Sequence, residues 1–165
     1  MMSLAHVNAM PTEAFVAAFG DVAEHSPWVA RNAAASRPFA TREKMVAAFA
    51  AAVANAPEKD QLALIRAHPD LAAKAKLTDD STREQSNAGL NALTPEEFTR
   101  FTDLNSRYKA KFGFPFILAA KGAAKQRILE SFAERVNNAA EAEFATAIAQ
   151  VCRILRFRIE DRVSP

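Results

Sequence analysis

Apolar residues recur every three or four positions along almost the whole of this 165-residue chain, and the strict alternation of a half-buried strand is nearly absent. The clearest run is Phe98, Phe101, Leu104, Tyr108 and Phe112. Ahead of it, Thr94-Pro95-Glu96-Glu97 supplies an N-cap, a proline at the first helical position and a glutamate at the third. Behind it, Gly113 can take the left-handed conformation that stops a helix. The same grammar repeats elsewhere. Thr12 to Phe19 reads as a short helix closed by Gly20, and Thr41 caps a helix carrying Met45, Val46, Phe49 and Val53. Pro57-Glu58 opens another with Leu62 and Ile65, and a long last helix holds Phe144, Ile148, Val151, Leu155 and Ile159. The expectation is an all-α fold, a single compact domain of about seven to eight helices over residues 1–165, with the phenylalanine stripe as core rather than a stacking platform.

Composition narrows the function classes. A net charge of +2 and the lack of a basic run interleaved with aromatics give no footprint for nucleic acid. One cysteine, Cys152, cannot form an internal disulfide or a multi-cysteine zinc site, and its apolar helical setting predicts core packing. Met45 to Pro57 is uncharged but too short to span a bilayer, which needs about 20 residues, and its alanines predict a buried helix. The first cationic residue is Arg31, and Val163-Ser164-Pro165 is not a peroxisomal address, so a cytoplasmic protein without a membrane partner is expected.

Three places break the helical regularity, and in such a chain irregular backbone is where chemistry tends to sit. The first is His68-Pro69. Proline lacks an N–H and disfavours helical geometry in the residue before it, so the helix through Leu64 and Ile65 is expected to end at His68. An imidazole at a helix end can face a cleft, with an unperturbed pKa near neutrality, or it can simply pack. The second is Ser81-Thr82-Arg83-Glu84-Gln85, whose Ser-x-x-Glu spacing is that of a capping box. A carboxylate there can also accept a hydrogen bond from an imidazole or a substrate. The third is Lys111 to Ile117, where Pro115 suits the first turn of a new helix, leaving free amides among large apolar side chains, or a plain hydrophobic turn.

On the last helix, Arg153, Arg156, Arg158 and Arg162 suit a helix C-terminus, but an inward-facing arginine could clamp a carboxylate or urea-like group. At 100° per residue Arg158 falls along the edge of the stripe ending in Leu155 and Ile159, whereas Arg156 is rotated further toward solvent. His6, His25 and His68 show no metal-ligand spacing, and no phosphate loop, nucleophile elbow or dinucleotide fingerprint is present. The residues alone define a helical domain with a His/Glu/Arg pocket as its candidate site.

Taken in order, several short motifs resemble one family. They are Glu24-His25-Ser26-Pro27-Trp28, Arg37-Pro38-Phe39, Ala67-His68-Pro69-Asp70-Leu71-Ala72, Ser81 with Glu84-Gln85, Ala88-Gly89-Leu90, Leu104-Asn105 with Tyr108, Lys111 to Ile117, and Arg158-Ile159-Glu160-Asp161. Their order and spacing resemble the 2-oxo-4-hydroxy-4-carboxy-5-ureidoimidazoline (OHCU) decarboxylases. The resemblance implies an all-α homodimer without metal or organic cofactor, converting that ureidoimidazoline to (S)-allantoin and CO2 in urate breakdown. It further implies His68 as catalytic acid/base and Glu84 as its carboxylate companion. Pro69, Ser81, Gln85 and Arg158 would contact substrate, as would the backbone of Phe116, Ile117, Leu118, Ala119 and Ala120; the Arg-x-x-Asp match selects Arg158 over Arg156. Two other classes stay open on the residues themselves. One is a non-catalytic helical partner-binding domain, and the other is a metal-dependent ureide hydrolase.

Overall fold

The computed structural model describes residues 1–72 and 78–165. Among them are nine α-helices: α1 Leu4–Ala9, α2 Thr12–Phe19, α3 Trp28–Ala34, α4 Arg42–Ala54, α5 Glu58–Ala67, α6 Asp79–Asn87, α7 Pro95–Phe112, α8 Lys125–Arg135 and α9 Ala140–Glu160. The described residues contain no strand, only an isolated parallel bridge between Met2 and Val163. The all-α expectation holds, and the additional helix comes from short elements such as six-residue α1.

The chain forms two compact units, residues 1–67 with 151–165, and residues 68–150. In the first, α3 packs against α2 and α4. Phe15, Phe19 and Phe49 are fully buried, with ring centroids 5.0 Å apart for Phe15–Phe19 and 6.1 Å for Phe15–Phe49. The Met2 N–H donates to Arg162 O and the Ser164 N–H to Met2 O, at 2.8 and 2.9 Å. Thr41 caps α4 as expected, accepting from the Lys44 N–H. The expected burial of the alanine-rich stretch is only half correct. Met45, Val46, Phe49 and Val53 are buried, but Ala47, Ala51 and Ala54 are exposed. Alanine favours helix on its own account and loses little by facing water.

In the second unit, α7 carries the aromatic stripe, with Phe101, Leu104 and Tyr108 buried. Its start and stop match the sequence reading. Thr94 and Glu97 form a reciprocal capping box, and Gly113 ends the helix at φ 77°. Phe116 stacks on Phe132 of α8 at 3.9 Å with 9° between ring planes, and Tyr108 meets Phe116 and Phe132 edge-on. The stripe is core.

On α9 the buried positions are Glu143, Ala147, Val151, Ile154, Leu155, Arg158 and Ile159, while Phe144 and Ile148 are half-buried. The first half of the expected stripe is therefore rotated by one residue. The cause is Glu143, a fully buried carboxylate that hydrophobic periodicity cannot register.

Phe49→Ala, in the first unit, should cost about 3–5 kcal/mol, the usual range for deleting a fully buried phenylalanine. Urea denaturation measures it; a loss under about 1 kcal/mol would mean that this aromatic cluster does not hold the unit together.

Candidate active site

The helix before His68 ends at Ala67, as Pro69 dictates, and His68 is buried at 7% exposure. The segment that follows is tied down within the second unit. Asn105 Nδ2 donates to Leu71 O at 2.9 Å, and Lys109 Nζ pairs with Asp70 at 2.8 Å. Ala72 sits at φ 60°, a left-handed conformation that costs a side-chain-bearing residue free energy. Its N–H donates to Gln85 Oε1 at 3.0 Å, so Gln85 of α6 helps hold the backbone in that state.

The sequence reading of Ser81 as N-cap and Glu84 as N3 is overturned. Thr78 is the N-cap, its hydroxyl accepting from the Ser81 N–H at 3.3 Å, so Ser81 stands in the first turn and Glu84 in the second. Threonine and serine both suit caps, and here the acidic pair Asp79-Asp80 begins the helix after the threonine. Glu84 is thereby released from a capping role. Ser81, Gln85 and Ala88 share the buried face of α6, with Glu84 half-buried beside them in helical phase. At the C-terminal end, the Leu90 N–H reaches Gln85 O and the Gly89 N–H reaches Ser86 O, with Gly89 at φ 81°. That is a Schellman ending, and it explains Ala88-Gly89-Leu90.

Pro115 does not open a helix. Residues 115–120 are irregular, and α8 begins only at Lys125. A left-handed Gly113 turns the chain, and the rings of Phe114 and Phe116 then drive this strap into the core, at 5% and 1% exposure. The consequence matches the expectation in another form. Of the five amides from Phe116 to Ala120, only that of Ala119 has a protein acceptor among the described residues, Gln150 Oε1 at 2.9 Å. Buried amides without partners are rare and costly, and they mark where a ligand or water belongs.

The other side of the strap is held by residues the sequence reading missed. Arg135 Nη1 donates to Ile117 O at 2.7 Å, and its guanidinium lies 4.3 Å from the Phe116 ring centroid. Arg135 Nε donates to Glu143 Oε1 at 2.9 Å, and the same carboxylate accepts from Tyr108 OH at 2.5 Å and Asn138 Nδ2 at 3.1 Å. Burial, then the hydrogen bond to Glu143, holds the Tyr108 phenol well above its usual range, so it stays a donor. A signal existed. Arg135 is in phase with Ile128 and Phe132 on α8, and Glu143 with Ala147 and Val151 on α9. Charges in phase with a core stripe imply a buried pair.

Arg158 belongs to the first unit. It is 2% exposed, with Nη2 on Glu24 at 2.8 Å and Nη1 on Val22 O at 3.1 Å; Glu24 itself is 1% exposed. Arg156 is half-exposed and pairs with Glu43 and Glu160. The expected contrast between the two arginines is therefore seen in their burial, and Glu24 accounts for the first of the quoted motifs. Cavities of about 260 and 560 Å³ adjoin Ala72 in the second unit, but they are lined largely by α7 and the segment before it, including Phe98 in both, and by none of His68, Ser81 or Glu84. Among the described residues no three His, Cys, Asp or Glu side chains are grouped to hold a metal ion. Burial raises the Cys152 thiol, leaving it a poor nucleophile.

Fold and site define a class: an all-α protein with a buried histidine just past a helix end and a non-helical strap whose amides, Ala119 excepted, have no protein acceptor among the described residues. The OHCU decarboxylase family model matches residues 8–160. The chain is 39% identical to the 2-oxo-4-hydroxy-4-carboxy-5-ureidoimidazoline decarboxylase of Haloferax volcanii, over 99% of this chain and 97% of that one. It is 40% identical to the uric acid degradation bifunctional protein PucL of Bacillus subtilis, spanning 33% of that longer protein. Among solved structures, an (S)-allantoin synthase superposes with a TM-score of 0.79 at 30% identity, over 98% of this chain and 54% of the other. A crystal structure of an OHCU decarboxylase in the presence of (S)-allantoin gives 0.68 at 25% identity, over 81% and 88%. The chain belongs to the OHCU decarboxylase family.

Arg158→Ala should destabilise the protein by about 3–5 kcal/mol, because it breaks a buried ion pair. Arg156→Ala should change stability by less than about 1 kcal/mol, as exposed pairs do. Equal losses in chemical denaturation would contradict this assignment of the buried pair.

Proposed function

We propose that this chain decarboxylates 2-oxo-4-hydroxy-4-carboxy-5-ureidoimidazoline to (S)-allantoin and CO2, with His68 as acid/base and Glu84 as its carboxylate companion. The observation that carries the reading is the strap at 116–120, buried except at half-buried Leu118, whose amides, Ala119 excepted, have no protein acceptor among the described residues. A polar, oxygen-rich ring is a ligand suited to them. The buried imidazole of His68 and the side chains of Ser81 and Gln85, all in the same unit, complete the set. Pro69 and Arg158 are assigned substrate contacts on the family resemblance.

The chemistry suits so sparse a site. The substrate carries a carboxylate and a hydroxyl on one ring carbon, beside a C=N bond. When the bond to the carboxylate breaks, CO2 leaves and the electron pair moves into the ring toward that C=N, so the substrate supplies its own electron sink. The hydroxyl then gives up its proton to become a carbonyl, the ring nitrogen that received the pair takes up a proton, and the neighbouring ring carbon gains a proton on one face, so one proton is taken up for each CO2 released. Orientation of the carboxylate and a positioned proton carrier are what the protein must add. An imidazole near neutral pKa can carry the proton, and strap amides can hold oxygens as charge shifts onto the ring.

His68→Asn is expected to lower kcat/KM by about 10²–10⁴-fold with the fold intact by circular dichroism. Glu84→Gln should lower activity more than thermal stability, since Glu84 makes no capping box. Arg158→Lys should raise KM where Arg156→Lys does not, because an ammonium cannot replace a forked donor. Chelator should leave turnover unchanged. An active His68→Asn enzyme, with less than about a tenfold loss, would leave the histidine a packing residue; chelator-sensitive turnover would favour a metal-dependent hydrolase.

The family model spans residues of both units, which supports reading 1–165 as one functional domain. We also read the protein as a cytoplasmic homodimer. Among the described residues no helix is long and apolar enough to cross a membrane, and the family resemblance implies the dimer. Light scattering at twice the chain mass is the expected result; the mass of a single chain across the micromolar range would contradict it.

A further inference from the structure

The strap at 116–120 is fixed at two peptide groups by side chains from α8 and α9. Arg135 Nη1 takes the Ile117 carbonyl at 2.7 Å, and Gln150 Oε1 takes the Ala119 N–H at 2.9 Å. Between those anchors lies the amide of Leu118. Ile117 C=O and Leu118 N–H belong to one planar trans peptide, so they point in opposite directions. Pulling the carbonyl onto Arg135 therefore turns the Leu118 N–H directly away from Arg135. That N–H has no protein acceptor among the described residues.

Arg135 is itself locked. Its Nε is bound to Glu143, its guanidinium faces the Phe116 ring, and that ring stacks on Phe132. Glu143 has no exposed surface and accepts from Tyr108 and Asn138 as well. A buried charge pair is costly to desolvate and is a weak device for stability alone. Here Nη1 of the arginine is spent on one peptide group, while Nη2 is buried without a hydrogen-bond partner among the described residues.

We propose that Arg135, held by Glu143 and Tyr108, is a positioning residue that aims the Leu118 N–H at an anionic or carbonyl oxygen of the bound ring. This rests on the decarboxylase reading above and names part of how that site is set. Arg135 acts through the Ile117–Leu118 peptide whose carbonyl it holds. It fixes the orientation of that donor, and a donor misplaced by about 1 Å can cost about a hundredfold in rate.

The test joins amide NMR to kinetics. On adding (S)-allantoin to the unaltered protein, the Leu118 ¹⁵N–H resonance should shift strongly, and that of Ala119, already bonded to Gln150, much less. Arg135→Lys keeps a cation for Glu143 but lacks the fork that reaches both Glu143 and Ile117. It should fold, lose the Leu118 response, and lower kcat/KM by about tenfold to a hundredfold. The paired Arg135→Met, Glu143→Leu variant removes both charges, so no lone buried charge remains to unfold it; it should show the same loss. Tyr108→Phe, which leaves the ion pair in place, should lose less. The proposal is overturned if the active, unaltered protein shows no Leu118 response, or if either folded Arg135 variant keeps both the response and kcat/KM within about threefold. An unaltered protein that does not accelerate the decarboxylation overturns the functional reading instead, which separates the two failures.

Discussion

An α-helix satisfies its own backbone hydrogen bonds, so in an all-α chain a buried segment that is not helical must find partners for every peptide group from elsewhere. The strap at 116–120 is the place where this protein faces that constraint most severely. Phe116 and Ile117 are almost completely buried, and the strap has no secondary structure of its own. Arg135 and Gln150 satisfy one carbonyl and one amide, and a fully buried Glu143 is held in the core to orient the arginine. The other amides of the run have no protein acceptor among the described residues, and fixing their neighbours holds them in place.

The second irregular place follows the same logic on a smaller scale. Pro69 ends the helix that leads to His68, and the chain then turns through a left-handed Ala72. That turn is held by Gln85, one helical turn beyond Ser81 on the buried face of α6. Thr78 performs the capping, so neither Ser81 nor Glu84 is needed for it. In both places polar side chains from neighbouring helices support backbone that a helix would have supported for itself.

The parts of the fold that the sequence made legible are those governed by local rules. Thr41, the Thr94–Glu97 box, Gly113 and the aromatic stripe of α7 all follow from capping preference and helical period. The misreadings came from competition and from long-range pairing. Ser81 has the spacing of a cap, but Thr78, three residues earlier, competes for the same role and takes it. Pro115 looked like a helix start because its missing N–H suits one, but burial of Phe114 and Phe116 outweighed local preference. Arg135 and Glu143 passed unnoticed because a charge scores against a core stripe unless its partner, on another helix, is already known. The candidate site residues are legible only as an ordered set of short motifs, since none of His68, Glu84 or Arg158 is distinctive alone.

The central claim is that this chain itself steers both the loss of CO2 and the side from which the new ring proton arrives. It is tested most directly by generating the unstable ureidoimidazoline in situ and following the circular dichroism of the allantoin formed, with and without the protein. The account predicts faster decay of the intermediate and (S)-allantoin in large enantiomeric excess, both lost with His68→Asn. Decay at the uncatalysed rate to racemic allantoin in the presence of the folded protein would contradict it.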